Sequence, residues 1–196
     1  VGETLTRIGI ILGSTRPNRV GEQVAAWAYA MASRRADAQF ELVDLRDHPL
    51  PLLDEPLPPS LGQYHNEHTK RWSAKIASFD GYVIVTPEYN HGIPGALKNA
   101  IDYLYREWNN KAVGFVSYGS VGGTRAVEQL RLVAGELQMA DVRQQVTLSM
   151  FTEFESYKVF RPHEHHVSGL TTLLDQVVAW TTALAPLRTP GGGPAL

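Results

Sequence analysis

Apolar and polar positions alternate in blocks along this chain, and the blocks change rhythm in a regular way. Residues 8–12 (IGIIL), 40–45 (FELVDL), 81–85 (GYVIV) and 112–118 (AVGFVSY) are short apolar runs, mostly rich in β-branched residues. That composition suits strands buried on both faces of a parallel sheet. Residues 142–148 alternate instead, as an edge or partly exposed strand does. Between these runs the apolar period lengthens to three or four residues. It predicts helices over 20–35 (Val24, Trp27, Ala28 and Met31 inward), 65–78 (with Trp72 and Ile76) and from Ala96 through Leu97, Ile101, Leu104 and Trp108. Two more follow over 125–139 and 169–187. Ala96, Ala100 and Tyr103 form a second, small face on the third helix, open to approach by another helix.

Strands alternating with helices predict an α/β fold, a three-layer doubly wound five-stranded parallel sheet. Its expected strand order is the flavodoxin-like 2-1-3-4-5. Ligands of such sheets bind outside the carboxyl ends of the strands. Three loops fall there. The first is Gly13-Ser14-Thr15-Arg16-Pro17-Asn18-Arg19-Val20-Gly21. The second carries Pro87, Glu88, Tyr89, Asn90 and His91, with Pro87 expected to end the strand and Gly92, Pro94 and Gly95 to make a tight turn. The third is Gly119-Ser120-Val121-Gly122-Gly123-Thr124, whose glycines permit close backbone approach or positive φ. A proline-rich loop over 49–59 is expected to pack over the sheet end with Leu50, Leu52 and Leu53 covering core. Residues 151–168 read as irregular.

A strand, a polar loop and a helix start make an anion cradle, because first-turn N–H groups are unpaired and the helix dipole favours negative charge. Ser14, Thr15 and Asn18 can add donors, and Arg16 or Arg19 a cation. The loop is neither GxxxxGK[ST] nor GxGxxG. Cysteine is absent, which removes disulfides, thiolate metal sites and cysteine nucleophiles. No G-x-S-x-G elbow occurs, which counts against an α/β hydrolase. The 196 residues, 43% apolar, fit one domain over 1–188, with a glycine- and proline-rich tail over 189–196 read as disordered. A net charge of −2 points to neither nucleic acid nor an anionic membrane surface, and no apolar run approaches the roughly 20 residues needed to span a bilayer. Without a basic-then-apolar leader, a cytoplasmic location is the expectation. His65 with His68, and the run His163-Glu164-His165-His166, read as solvated faces, and no metal site is assigned. A ligand with a phosphate at one end and a flat polar ring at the other fits three such loops, and flavin mononucleotide (FMN) is one.

The pairing of GSTRPNRVGEQVAAW with TPEYNHGIPGALKNAIDYL resembles the NAD(P)H-dependent FMN reductases, flavodoxin-like enzymes that include quinone, chromate and azo-dye reductases. The resemblance covers about residues 6 to 187 and implies a noncovalent FMN, with NADPH or NADH as co-substrate. By position, Ser14, Arg16, Asn18, Val20 and Gly21 match the family's phosphate loop. Pro87, Glu88, Tyr89 and Asn90 match the segment along the isoalloxazine ring, and Ser117, Gly119, Gly122 and Gly123 the loop at its pyrimidine side. The implied reaction passes hydride from NAD(P)H to the flavin and electrons on to a small-molecule acceptor. The cofactor carries the chemistry, so no catalytic acid or base is assigned. Tyr89 is a candidate for packing at the ring edge, and Glu88 for orienting the loop. The family's habit implies a homodimer or homotetramer, with Trp108 a candidate for the interface. The competing reading is a non-enzymatic, flavodoxin-like electron carrier, which a charge of −2 does little to favour.

Overall fold

The computed structural model describes residues 5–188. Five parallel strands form one sheet in the order β2-β1-β3-β4-β5, as expected: β1 (Thr6–Leu12), β2 (Ala38–Asp44), β3 (Gly81–Pro87), β4 (Ala112–Gly119) and β5 (Ala140–Ser149). The connecting helices are α1 (Gly21–Ala32), α2 (Glu67–Ala77), α3 (Gly95–Asp102) and α4 (Thr124–Glu136), with α5 (Glu164–Ala183) closing the chain before a short α6 (Ala185–Arg188). The two-residue period of a strand divides the core between the two sheet faces. Ile8, Ile10, Leu12, Val83, Val85 and Val116 pack with α1 and α5, whereas Ile11, Tyr82, Ile84, Val113 and Phe115 pack with α2, α3 and α4. Helices on both faces explain why the central strands are apolar without alternation.

Several elements differ from expectation. β3 continues through Pro87, which pairs with Tyr118; the missing N–H ends nothing because Glu88 N resumes the ladder to Tyr118 O at 3.1 Å. α3 stops at Asp102, yet Leu104 and Trp108 are buried beyond it, and Trp108 Nε1 donates to Ile101 O at 3.2 Å. Trp108 is therefore core. Ala100 and Tyr103 also face inward, and the carbonyl of Ala100 accepts from Trp72 Nε1. On α1 the buried stripe is Val24, Ala25, Ala28 and Ala32; Trp27 and Met31 are half-buried at its flank. Of the proline-loop leucines only Leu50 packs on the core. Leu52 is 86% exposed and Leu53 is exposed as well. Polar ties hold that loop instead: Asn99 Nδ2 donates to Pro51 O at 2.7 Å and Leu53 N to Asn99 Oδ1 at 3.0 Å. Within 151–168 a small hairpin forms, β6 (Phe154–Glu155) with β7 (Val159–Phe160), and α5 begins five residues before its expected start. The tail over 189–196 lies outside the described residues.

At the sheet end opposite the loops, Lys111 is buried, its Nζ 2.9 Å from the Tyr82 hydroxyl and 3.2 Å from Ile76 O. Burial pulls its pKa down to about 8. The unfolded chain then takes up the proton more readily between about 8 and 10.5, so stability rises with pH across that window. Lys111→Met is expected to stabilise the fold at pH 7 by about 1–3 kcal/mol, because the Tyr82 hydroxyl still satisfies Ile76 O. Thermal melts at pH 7 and pH 10.5 test this, the advantage shrinking at the higher pH.

Candidate functional site

The loop after β1 leaves the sheet close to its neighbour. Gly13 N donates to Val85 O at 2.9 Å, and a Cβ at Gly13 would lie 2.9 Å from Leu97 Cδ2. Ser14 is fully buried, with its hydroxyl 2.8 Å from the Tyr89 hydroxyl on the loop after β3. Thr15, Arg16, Pro17 and Asn18 are exposed, Asn18 at φ 55°. The two arginines then divide. Arg19 turns inward, its side chain 1% exposed, and holds Asp44 at the end of β2, Glu22 and the carbonyl of Ser14. It is a brace, so the cation available to a ligand is Arg16, whose guanidinium lies 5.8 Å from the Tyr89 ring centre. Arg46, which the sequence did not single out, clamps the loop from outside by donating to Arg16 O at 2.6 Å and Glu22 Oε1 at 2.8 Å. Val20 precedes α1 without a side-chain cap; its carbonyl takes Gln23 N at 3.0 Å, which leaves the N–H groups of Gly21 and Glu22 for other acceptors.

The loop after β3 is a two-residue hairpin. Tyr89 N donates to Gly92 O and Gly92 N to Tyr89 O, at 2.9 and 3.1 Å. The positive φ falls on Asn90 (50°) and His91 (73°), not on the glycines, as a type I′ turn requires. Glu88 is buried beneath, its carboxylate accepting from Arg125 N at 3.1 Å and Arg125 Nε at 2.6 Å. That pair ties the second loop to the start of α4, and hence to the third. Gln129, also on α4, donates to His91 O at 2.9 Å.

In the third loop Gly122 and Gly123 take φ 72° and 73°. The Ser117 hydroxyl donates to Gly122 O at 2.7 Å, so this side chain shapes the loop from below. Gly119 O accepts from Met150 N at 2.9 Å, joining the loop to the exit of β5.

Ser14, Tyr89 and the Glu88–Arg125 pair thus bring the three loops to one rim of the sheet. Asn18, Asn90, Gly119 and Arg16 lie on its accessible side, whereas Val20, Gly21, Pro87, Ser117, Gly122 and Gly123 are buried scaffold. Tyr118 was missed by sequence reasoning. It sits under α1, where a Cβ on Gly21 would collide with its hydroxyl, and that hydroxyl lies near Ser14 but makes no well-aligned hydrogen bond among the described residues. Burial pushes its pKa up, so it stays a donor. A buried donor without an acceptor, beside an uncapped helix start and an outward arginine, is the chemistry that a phosphate satisfies. No helix among the described residues is long and apolar enough to cross a membrane.

Comparison with known proteins points the same way. The profile of the NADPH-dependent FMN reductase family matches residues 6–153. An NAD(P)H-dependent FMN reductase of Schizosaccharomyces pombe is 48% identical over 135 residues, covering 68% of each chain. A 2-hydroxy-1,4-benzoquinone reductase of a Burkholderia species is 29% identical over 186 residues, covering 89% of this chain and 95% of that one. Among solved structures, the flavoenzyme NAD(P)H:acceptor oxidoreductase of Paracoccus denitrificans superposes with a TM-score of 0.72 at 20% identity, over 91% of this chain and 98% of that one.

Proposed function

The chain belongs to the NADPH-dependent FMN reductase family and is an FMN-dependent oxidoreductase, and from that membership we propose that FMN sits noncovalently on the rim where the three loops meet. Its phosphate takes the N–H groups at the start of α1 with Ser14, Asn18, Arg16 and the Tyr118 hydroxyl. Its ring lies along Pro87 to Asn90, against the Gly119–Gly123 loop. Bound there, FMN supplies two-electron transfer from NAD(P)H to an acceptor.

The chain's own residues bind and orient. Arg19 and Asp44 fix the phosphate loop from beneath, and Glu88 and Arg125 fix the ring segment against α4. Backbone N–H groups near Asn90 and Gly119 offer hydrogen bonds to negative charge at the ring's pyrimidine end, an electrostatic role that needs no acid–base side chain. NADH or NADPH and a small acceptor of the quinone class use the same open face in turn. Exposed Leu52 and Leu53, tied to α3 through Asn99 and Tyr103, supply apolar surface for a second copy, in keeping with a homodimer or homotetramer. The 2.8 Å contact between the Ser14 and Tyr89 hydroxyls carries this reading, because it joins the phosphate loop to the ring segment.

Purified protein is expected to be yellow, to release FMN on heating, and to oxidise NAD(P)H steadily in the presence of a benzoquinone. A colourless protein that does not take up added FMN would overturn the proposal. Arg16→Ala is expected to weaken FMN binding about 10-fold or more and Asn18→Ala about 3- to 10-fold. Turnover at saturating FMN should change far less in either variant. Fluorescence titration of apoprotein with FMN measures both, and unchanged affinity would remove Arg16 and Asn18 from the site.

A further inference from the structure

One group of metal-ligating side chains lies apart from the proposed flavin rim among the described residues. Glu153 is in the turn that leaves β5. His163 is the N-cap of α5, and His165 and His166 are in its first turn. Sequence reading placed these histidines ahead of the helix and could not foresee the carboxylate beside them.

Glu153 is only 4% exposed. Its Oε2 accepts from Ser149 N at 2.6 Å and from Thr152 Oγ1 at 2.7 Å. Its other oxygen, Oε1, lies 3.0 Å from His166 Nε2 and 3.7 Å from His163 Nδ1. The His165 ring centre is 3.9 Å from that of His166. One ligand atom from each of Glu153, His165 and His166 falls within 4.8 Å of the others. Two ligand atoms on a tetrahedral zinc, each about 2.0–2.1 Å from it, stand about 3.3 Å apart, close to the 3.0 Å between Glu153 Oε1 and His166 Nε2.

We propose that Glu153, His165 and His166 bind a divalent ion of the zinc class. Imidazole nitrogens with one carboxylate suit zinc, cobalt, nickel or copper over magnesium and calcium, which prefer oxygen sets. The helix dipole opposes a cation at the start of α5, and the Glu153 carboxylate supplies the opposing charge. Ser149 N and Thr152 hold that carboxylate in place, an outer support of the kind that orients metal ligands. Three protein ligands leave the fourth tetrahedral position to water. The ion would staple α5 to the exit of β5, whose Met150 N holds Gly119 O in the third loop. The proposal stands independently of the flavin assignment.

The test uses untagged full-length protein stripped with a chelator and titrated calorimetrically with zinc chloride, with cobalt(II) absorption as reporter of tetrahedral coordination. One zinc per chain at micromolar affinity or better is expected, with a zinc-dependent rise in melting temperature. Glu153→Gln and His165→Ala each remove a ligand and should weaken binding by more than the roughly 10- to 100-fold that loss of an outer-shell partner costs. His165 is exposed, so its variant keeps the fold even if loss of the Glu153 carboxylate disturbs the turn. Absence of saturable binding, or equal affinity in wild type and in the His163→Ala/His165→Ala double variant, would overturn the site.

Discussion

Gly123→Ala is expected to lower the melting temperature by roughly 5–15 °C and to abolish FMN retention. Alanine there must accept φ 73°, a left-handed conformation costing about 1–2 kcal/mol. Its Cβ would also stand 2.8 Å from Ser117 Cβ, 2.9 Å from Tyr118 N and 3.0 Å from Tyr118 O. Two of those neighbours are backbone of a central strand and cannot swing aside, so overpacking adds about 1–3 kcal/mol. In a chain of this length each kcal/mol moves the melting temperature by about 2–4 °C. The third loop would have to shift from Ser117, and with it the start of α4 that carries Arg125. Calorimetry beside Gly135→Ala makes the comparison fair. At Gly135, inside α4, a Cβ meets nothing within 4 Å, and alanine should be neutral or slightly stabilising. Matching melting temperatures in the two variants would mean that the loop is not held as described.

Arg19→Met should be the second large loss. Removing one partner of a buried ion pair typically costs 3–5 kcal/mol. Asp44 keeps 23% exposure, so about 2–4 kcal/mol is the better figure here. The Ser14 carbonyl also loses its donor, which loosens the phosphate loop, and FMN affinity is expected to fall about 10- to 100-fold although Arg19 faces away from the ligand. The pH dependence identifies the cause. Burial acts to raise the pKa of Asp44, but the hydrogen bonds from Arg19 and from Arg46 N hold it below its ordinary value of 3.8. A depressed carboxylate contributes stability that is present above that value and lost as pH falls through the folded pKa. Without Arg19 burial dominates, so acid unfolding should begin at higher pH in the variant. Urea titrations at pH 7, 5 and 4 measure this, and parallel acid limbs would assign the loss to packing.

The fold was legible because its signals are local and repeated. Apolar runs too short for helices, each followed by a loop and a helical period, admit few arrangements, and crossover rules select the strand order. Ser14, Tyr89 and the glycine loop could be placed at one rim from strand order alone. Which way a side chain turns could not. Arg16 and Arg19 are both arginines of one loop, and only the position of Asp44, 25 residues on, sends Arg19 inward. Glu88 and Arg125 are 37 residues apart, and nothing near either indicates the pair. Tyr118 looked like one more apolar position of β4, because its unpartnered hydroxyl is a property of the packing over Gly21. The proline loop misled for a related reason. Leucines normally announce burial, but here Asn99 and Tyr103 anchor the backbone and leave Leu52 and Leu53 outside.

The inward arginine also bears on how the protein lives with its ligand. The ties described for the first loop run to Asp44, Arg46, Val85 and Tyr89, all within the chain. Little ordering is left for an incoming nucleotide to impose. A socket finished in advance can be emptied and refilled, so the stripped protein should survive repeated cycles of decolouring and reloading as a reusable vessel.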